Sequence, residues 1–95
     1  MPYYIVRDDG YAEYLARDGR SAPNCRKATR KELTLEAVAE MLDQEAENDN
    51  CDDFCGTHKA LAALLLRVTG KVSAATRIML AIADAGGLQK IDEEG

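Results

Sequence analysis

Tryptophan is absent, and phenylalanine and histidine each occur once among 95 residues. A nucleophile that needs an imidazole base therefore has only His58 to use. The longest uncharged apolar run, Ala60 to Leu66, is seven residues, far short of the roughly 20 that a membrane-spanning helix needs. The opening Met-Pro-Tyr-Tyr-Ile-Val-Arg lacks a basic segment followed by a long apolar stretch. It carries the expectation of no secretory signal and a soluble, cytoplasmic protein. There is no glycine-rich phosphate loop, and neither His-Glu-x-x-His nor Gly-x-Ser-x-Gly occurs. The usual signatures of nucleotide binding, zinc hydrolysis and serine hydrolysis are thus missing. Internal repeats and low-complexity segments are also lacking.

What is present is a globular composition, 46% hydrophobic and 31% charged, too apolar for a disordered chain. The length allows one small domain, and such a chain buries only about 60–65% of its unfolded surface, so its stability is marginal. We divide it into a hairpin and basic loop over 1–31, a helical part over 32–91, and a frayed acidic tail over 92–95.

Charge is distributed unevenly. Residues 1–31 hold seven basic and four acidic side chains, a net of +3. Residues 32–53 hold nine acidic and no basic ones (Glu32, Glu36, Glu40, Asp43, Glu45, Glu47, Asp49, Asp52 and Asp53), a net of −9. Residues 54–95 return to +1, with five basic and four acidic. A block this negative is either a solvated helix face or a surface that docks on a basic partner through complementary fields. The overall net charge of −5 argues against non-specific nucleic-acid binding, whose affinity comes from neutralising phosphates.

Tyr3-Tyr4-Ile5-Val6 and Tyr11-Ala12-Glu13-Tyr14-Leu15 flank Asp8-Asp9-Gly10, which predicts a β-hairpin because Gly10 tolerates the positive φ of a tight turn. Asp18-Gly19 and Ser21-Ala22-Pro23-Asn24 read as turn and loop. A first helix opens after Thr34, its expected N-cap, with Leu33 and Val38 as a hydrophobic staple and Glu36 near the N-terminus. Leu35, Val38, Ala39, Leu42 and Ala46 make its apolar stripe. Glu47 to Asn50 ends it. A second helix starts at Asn50 or Thr57, with Phe54, Leu61, Leu64, Leu65 and Val68 as its stripe. Leu66 makes it apolar nearly all round, which predicts a place at the centre of the core. A third helix runs from Val72 or Ser73 to Ala85, with Val72, Ala75, Met79, Ile82 and Ala83 inward and Gly86-Gly87 as the stop. Leu88 and Ile91 are expected to pack back. The fold class is α+β: an N-terminal hairpin followed by a three-helix bundle, its helices antiparallel or helix-turn-helix-like.

Cys25, Cys51, Cys55 and His58 are all the cysteines and the one histidine. Cys51, Cys55 and His58 fall as C-x3-C-x2-H, offsets that place them along one face if the segment is helical. With Cys25 they could form a Cys3His tetrahedron for a structural zinc. The paired C-x2-C knuckle is missing, however, and buried cysteines are common fillers. The expectation is therefore no cofactor, with zinc as the alternative. Cys55 and His58 sit one helical turn apart, but no third orienting residue is signalled, and an enzyme is not expected.

Residues 61–91 resemble the helix-turn-helix of bacterial repressors. Leu61 to Val68 is followed by Thr69-Gly70-Lys71 and then Val72-Ser73-Ala74-Ala75-Thr76-Arg77. Ile82 to Ile91 resembles a winged-helix recognition helix entering its wing. The resemblance covers about a third of the chain and implies DNA binding through residues 73–85, with Arg77 on the contact face. Only Lys71, Arg77 and Lys90 are basic there, few for a phosphate-facing surface. In size and acidity the chain is also similar in form to small accessory proteins of phages and mobile elements, anti-CRISPR inhibitors among them, though no motif is shared. We therefore read it first as a small acidic interaction protein, inhibitor-like, that binds a protein with a basic, nucleic-acid-binding surface. Glu36, Glu40, Asp43, Glu47, Asp49, Asp52 and Asp53 are the expected contacts. Direct nucleic-acid binding comes second, a zinc-stabilised module third, and either a monomer or a homodimer fits.

Overall fold

The computed structural model describes residues 3–7, 13–17 and 24–94, the side chains of 92–94 apart. The N-terminal segment pairs as expected: β1 (Tyr4–Arg7) runs antiparallel to β2 (Glu13–Ala16), with Ile5 opposite Leu15. The Asp8-Asp9-Gly10 turn, Tyr11 and residues 18–23 lie outside the described residues. A third strand, β3 (Cys25–Lys27), pairs with the other edge of β1 and gives the order β2-β1-β3. Sequence pattern alone puts Cys25 to Lys27 in the basic loop. Three residues, two of them basic, show no period-2 pattern; what makes them a strand is the free edge of β1, where the Ala28 amide donates to the Tyr3 carbonyl at 2.8 Å.

A 3-10 turn, Arg30–Glu32, links the sheet to α1 (Leu35–Asn48). The turn is held by a fork of two hydrogen bonds from Arg26 to Glu32, one of them 2.7 Å long, and by the Thr29 amide donating to Glu32 Oε1 at 2.9 Å. These bonds to the ionised carboxylate, Arg26 first, pull the Glu32 pKa down to about 2. Thr34 caps α1 as expected, its hydroxyl accepting the Ala37 amide at 3.2 Å. Leu33 packs against the core and Val38 is fully buried, as the staple requires.

Burial on α1 extends well beyond the expected stripe. Leu35, Val38, Ala39, Met41, Leu42, Asp43 and Ala46 are all buried; at about 100° per residue they cover more than half its circumference. α1 is the central helix, with the sheet, α2 (Thr57–Thr69) and α3 (Val72–Asp84) all packed against it. This corrects the expectation that the second helix occupies the centre. On α2 only His58 and Ala62 are buried, while Leu64 and Val68 face outward. High apolar content does not bury a helix that has neighbours on only two sides.

Three further expectations change. Phe54 lies in a 3-10 turn, Asp52–Phe54, rather than on α2, because Gly56 in the left-handed conformation (φ +82°) separates that turn from the helix. Val72 is exposed rather than inward, since the first residue of α3 overhangs the end of the bundle. Ala75, Met79 and Ala83 do face inward, each fully buried. Gly70, with φ +70°, ends α2 and reverses the chain, a conformation that L side chains resist. After α3, Gly86 and Gly87 turn the chain again into a fourth helix, α4 (Leu88–Glu94). Residues 92–94, expected as frayed tail, belong to it. Tyr3 is buried, and its hydroxyl donates to Asp84 at the end of α3. Loss of water and the Asp84 carboxylate push the Tyr3 phenol well above its usual pKa.

Candidate interaction surface

The acidic block divides into two sets once it is folded. Glu36, Glu40 and Glu47 share the exposed strip of α1, and Asp49, Asp52 and Asp53 continue it as exposed residues through the following turn. Among the described residues two side-chain contacts from other elements engage this set. Lys59 of α2 reaches Glu40 at 2.8 Å, and Gln89 of α4 approaches Asp49 at 3.4 Å. The Lys59 ammonium holds the Glu40 carboxyl below the usual carboxylate range. Both partners of this pair are more than half exposed, so the ion pair is screened and leaves Glu40 available to a partner.

Asp43 does not belong to the surface. It is 5% exposed, and its Oδ1 accepts the His58 backbone amide at 3.1 Å and faces His58 Nδ1 at 3.0 Å. Position 43 is four residues after buried Ala39 and one after Leu42, so it lies at the margin of the inward arc, where α2 begins. The spacing that groups it with Glu36, Glu40 and Glu47 is correct, but α2 covers that side of the helix.

His58 is 1% exposed and has both ring nitrogens engaged. Its Nε2 accepts the Leu88 amide at 3.3 Å, so the proton belongs on Nδ1, which donates to Asp43. The imidazole thereby joins α1, α2 and the start of α4. It has no free lone pair for a metal or a substrate while these bonds hold. Cys51 and Cys55 precede α2 instead of lying on it, so the C-x3-C-x2-H spacing does not become one helical face. Cys25 is on β3, and Cys51 Sγ receives Gln89 Nε2 at 3.3 Å. All three thiols are free, and among the described residues no group of three or more His, Cys, Asp or Glu side chains is arranged to hold a metal ion.

Beside the acidic strip lies a feature that the sequence did not announce. A groove of about 950 Å3 opens between β2 and α1. Ile5, Leu15, Ala37 and Met41 supply its apolar lining, and Glu13, Glu32, Glu40 and Glu45 bring carboxylates to it. Among the described residues Arg17 is its one cation, and it reaches Glu45 at 2.8 Å. Burial pushes the Glu45 carboxyl above its usual range, and the Arg17 guanidinium opposes that shift. Glu32 and Glu45 stand in the acidic block, which was a legible signal. Arg17 and Glu13 lie in a segment whose charges look like ordinary strand and loop polarity, and only the register of β2 brings them to the helix.

The segment resembling a helix-turn-helix folds as a closed hairpin. The chain leaving α3 returns to the first turn of α2, where Leu88 meets His58. Two arms of about 20 Å each, linked back within a few residues, must cross at an acute angle, whereas a helix-turn-helix opens to about 90–120°. Among the described residues no helix is long and apolar enough to cross a membrane. The chain matches no protein-family model, no curated protein and no solved structure.

Proposed function

We propose that the protein works by binding another protein, presenting an acidic surface to a basic one of the kind that otherwise meets nucleic acid. One observation carries this reading: six carboxylates, Glu36, Glu40, Glu47, Asp49, Asp52 and Asp53, are exposed along α1 and the turn after it. Fields of one sign on such a strip raise association rates with an oppositely charged partner and orient the encounter. The groove between β2 and α1 adds apolar area beside the charge, which converts encounter into a held complex. A partner so occupied has its basic surface covered, and the effect on it is inhibition by exclusion. The exposed ends of the strip rest on the 3-10 turn and on α1, rigid elements that cost little ordering on binding.

The test uses an arginine- and lysine-rich peptide with interspersed leucines as probe, its association followed by stopped-flow fluorescence at low and moderate salt. Wild-type protein should bind with an on-rate that falls steeply as salt rises. The triple variant Glu36→Lys, Glu40→Lys, Glu47→Lys should associate about tenfold more slowly at low salt, with a flattened salt dependence. Unchanged kinetics in that variant, with the fold intact by circular dichroism, would remove the acidic strip from the function.

A further inference from the structure

A group of exposed aliphatic side chains lies away from the acidic strip. Leu64 is 50% exposed, Val68 75%, Val72 56% and Ile78 39%, and all four belong to the α2–α3 hairpin. Helical geometry, about 100° per residue, places Leu64, Val68 and Ile78 on facing flanks. Val72 instead continues the line of Ala75 and Met79 and is exposed only because it overhangs the end of the bundle. On α2 the buried His58 and Ala62 mark the inward direction, and Lys59, paired with Glu40, marks the flank toward α1. Leu64 and Val68 lie on the opposite flank. On α3 the buried Ala75, Met79 and Ala83 mark the inward direction, and Asp84, which accepts from Tyr3, marks the flank toward the sheet. Ile78 lies on the other flank. Both helices therefore turn Leu64, Val68 and Ile78 toward the outer seam between them. Counted outward from the Gly70–Lys71 link, Leu64 and Ile78 fall within one residue of the same level.

The charge around this seam is of one sign. Arg67, Lys71 and Arg77 are exposed, and none of them makes an ion pair among the described residues. The two helices carry one carboxylate, Asp84, and the Tyr3 hydroxyl already engages it. In a chain with net charge −5, the hairpin is thus a basic, apolar face opposite in character to α1. A second copy docking the same face in two-fold fashion would set these cations against their own equivalents. A lipid surface is poorly matched, since α2 and α3 contain no aromatic side chain to seat at the headgroup level. The geometry points to an acidic amphipathic helix of a partner protein as the occupant of the α2–α3 seam. Its apolar side chains pack on Leu64, Val68 and Ile78, and its carboxylates face Arg67, Lys71 and Arg77. Exposed Ala60 and Ala81 leave room for a helix backbone to approach. This site is independent of the acidic strip, and with both in use the protein bridges two partners.

Two synthetic helical peptides test it, both with leucine at heptad-like spacing, one with glutamate at every other position and one with lysine. Each is titrated into the isotopically labelled full chain and followed by amide NMR. The glutamate peptide should shift amides within residues 60–81 and leave α1 nearly unmoved. Its Kd should rise about tenfold or more in Leu64→Glu and in Arg77→Glu, both exposed positions whose substitution leaves the fold intact. No shifts at millimolar glutamate peptide, equal shifts within residues 60–81 from the lysine peptide, or glutamate-peptide shifts mapping outside the hairpin would overturn the proposal. Concentration-dependent shifts at 60–81 without peptide would assign the seam to a second copy. Sedimentation with phosphatidylserine vesicles that Val68→Glu abolishes would assign it to a membrane. Either of these results also overturns the partner-helix assignment.

Discussion

α1 and α2 are nearly equal in length, and α2 is the more apolar of the two, yet α1 is the buried one. α1 carries four glutamates and an aspartate in 14 residues and still lies at the centre of the molecule. The sheet, α2 and α3 approach it from three directions, so even Asp43 at the edge of its stripe is enclosed. α2 touches α1 on one flank and α3 on the other, which leaves Leu64 and Val68 to solvent. Burial follows the number of neighbours an element has, and the hydrophobicity of the element alone does not set it. The comparison also separates two kinds of surface: the open side of α1 is acidic, and the open side of α2 and α3 is apolar and basic.

The sharpest way to break this comparison is to truncate one leucine on each helix. Leu42→Ala on α1, at 2% exposure, should cost about 3 kcal/mol in urea unfolding. Leu64→Ala on α2, half exposed, should cost about 0.5 kcal/mol or less. Equal losses would mean that α2 shares the centre. Next in size is the polar contact that joins the two helices. Asp43→Ala strands the His58 amide and the Nδ1 proton in a dry site and should cost about 2 kcal/mol. It should also speed hydrogen exchange at Leu88, whose amide depends on the same imidazole. A Leu88 amide as protected as in the wild type would show that α4 is held independently of the pair.

A smaller effect tests why α1 starts where it does. Thr34→Ala removes the acceptor for the Ala37 amide and should cost about 1 kcal/mol, read as a shift in the urea midpoint without change in slope. The smallest lies at the junction between sheet and helix. Glu32 has its pKa lowered to about 2 in the fold from an ordinary 4.5. The folded state therefore favours its ionised form, and the resulting stabilisation is present above about pH 4.5 and is lost as pH falls toward 2. Wild type and Glu32→Gln should differ in stability at neutral pH and converge by about pH 2. A difference that persists there would assign the effect of the substitution to the fit of the turn, with no share for charge. Because Arg26 is half exposed and the carboxylate partly so, the effect is small and weakens with salt.

Much of this architecture is legible in local pattern. Thr34 before Leu35, the 3.6-residue stripe of α1, Gly70 between α2 and α3, and the paired aromatic and β-branched runs all encode their elements directly. β3 was not legible, since Cys25-Arg26-Lys27 shows no strand period. Nor was α4, whose seven residues depend on a backbone amide reaching an imidazole thirty positions earlier. Of the expected contact residues, Glu36, Glu40, Glu47, Asp49, Asp52 and Asp53 are exposed, and Asp43 is not. The groove could not be read because Arg17 and Glu45 come together across the β2–α1 interface, a pairing that no spacing along the chain specifies.

Helix caps, turns, strand pairing between β1 and β2 and the clustering of negative charge were determined by the sequence itself, because each depends on residues a few positions apart. Which helix occupies the centre, where Asp43 and His58 meet, and which aliphatic side chains stay in solvent were decided by tertiary structure alone. Those outcomes depend on how many surfaces converge on a side chain, a property of the packed assembly that no single stretch of chain contains.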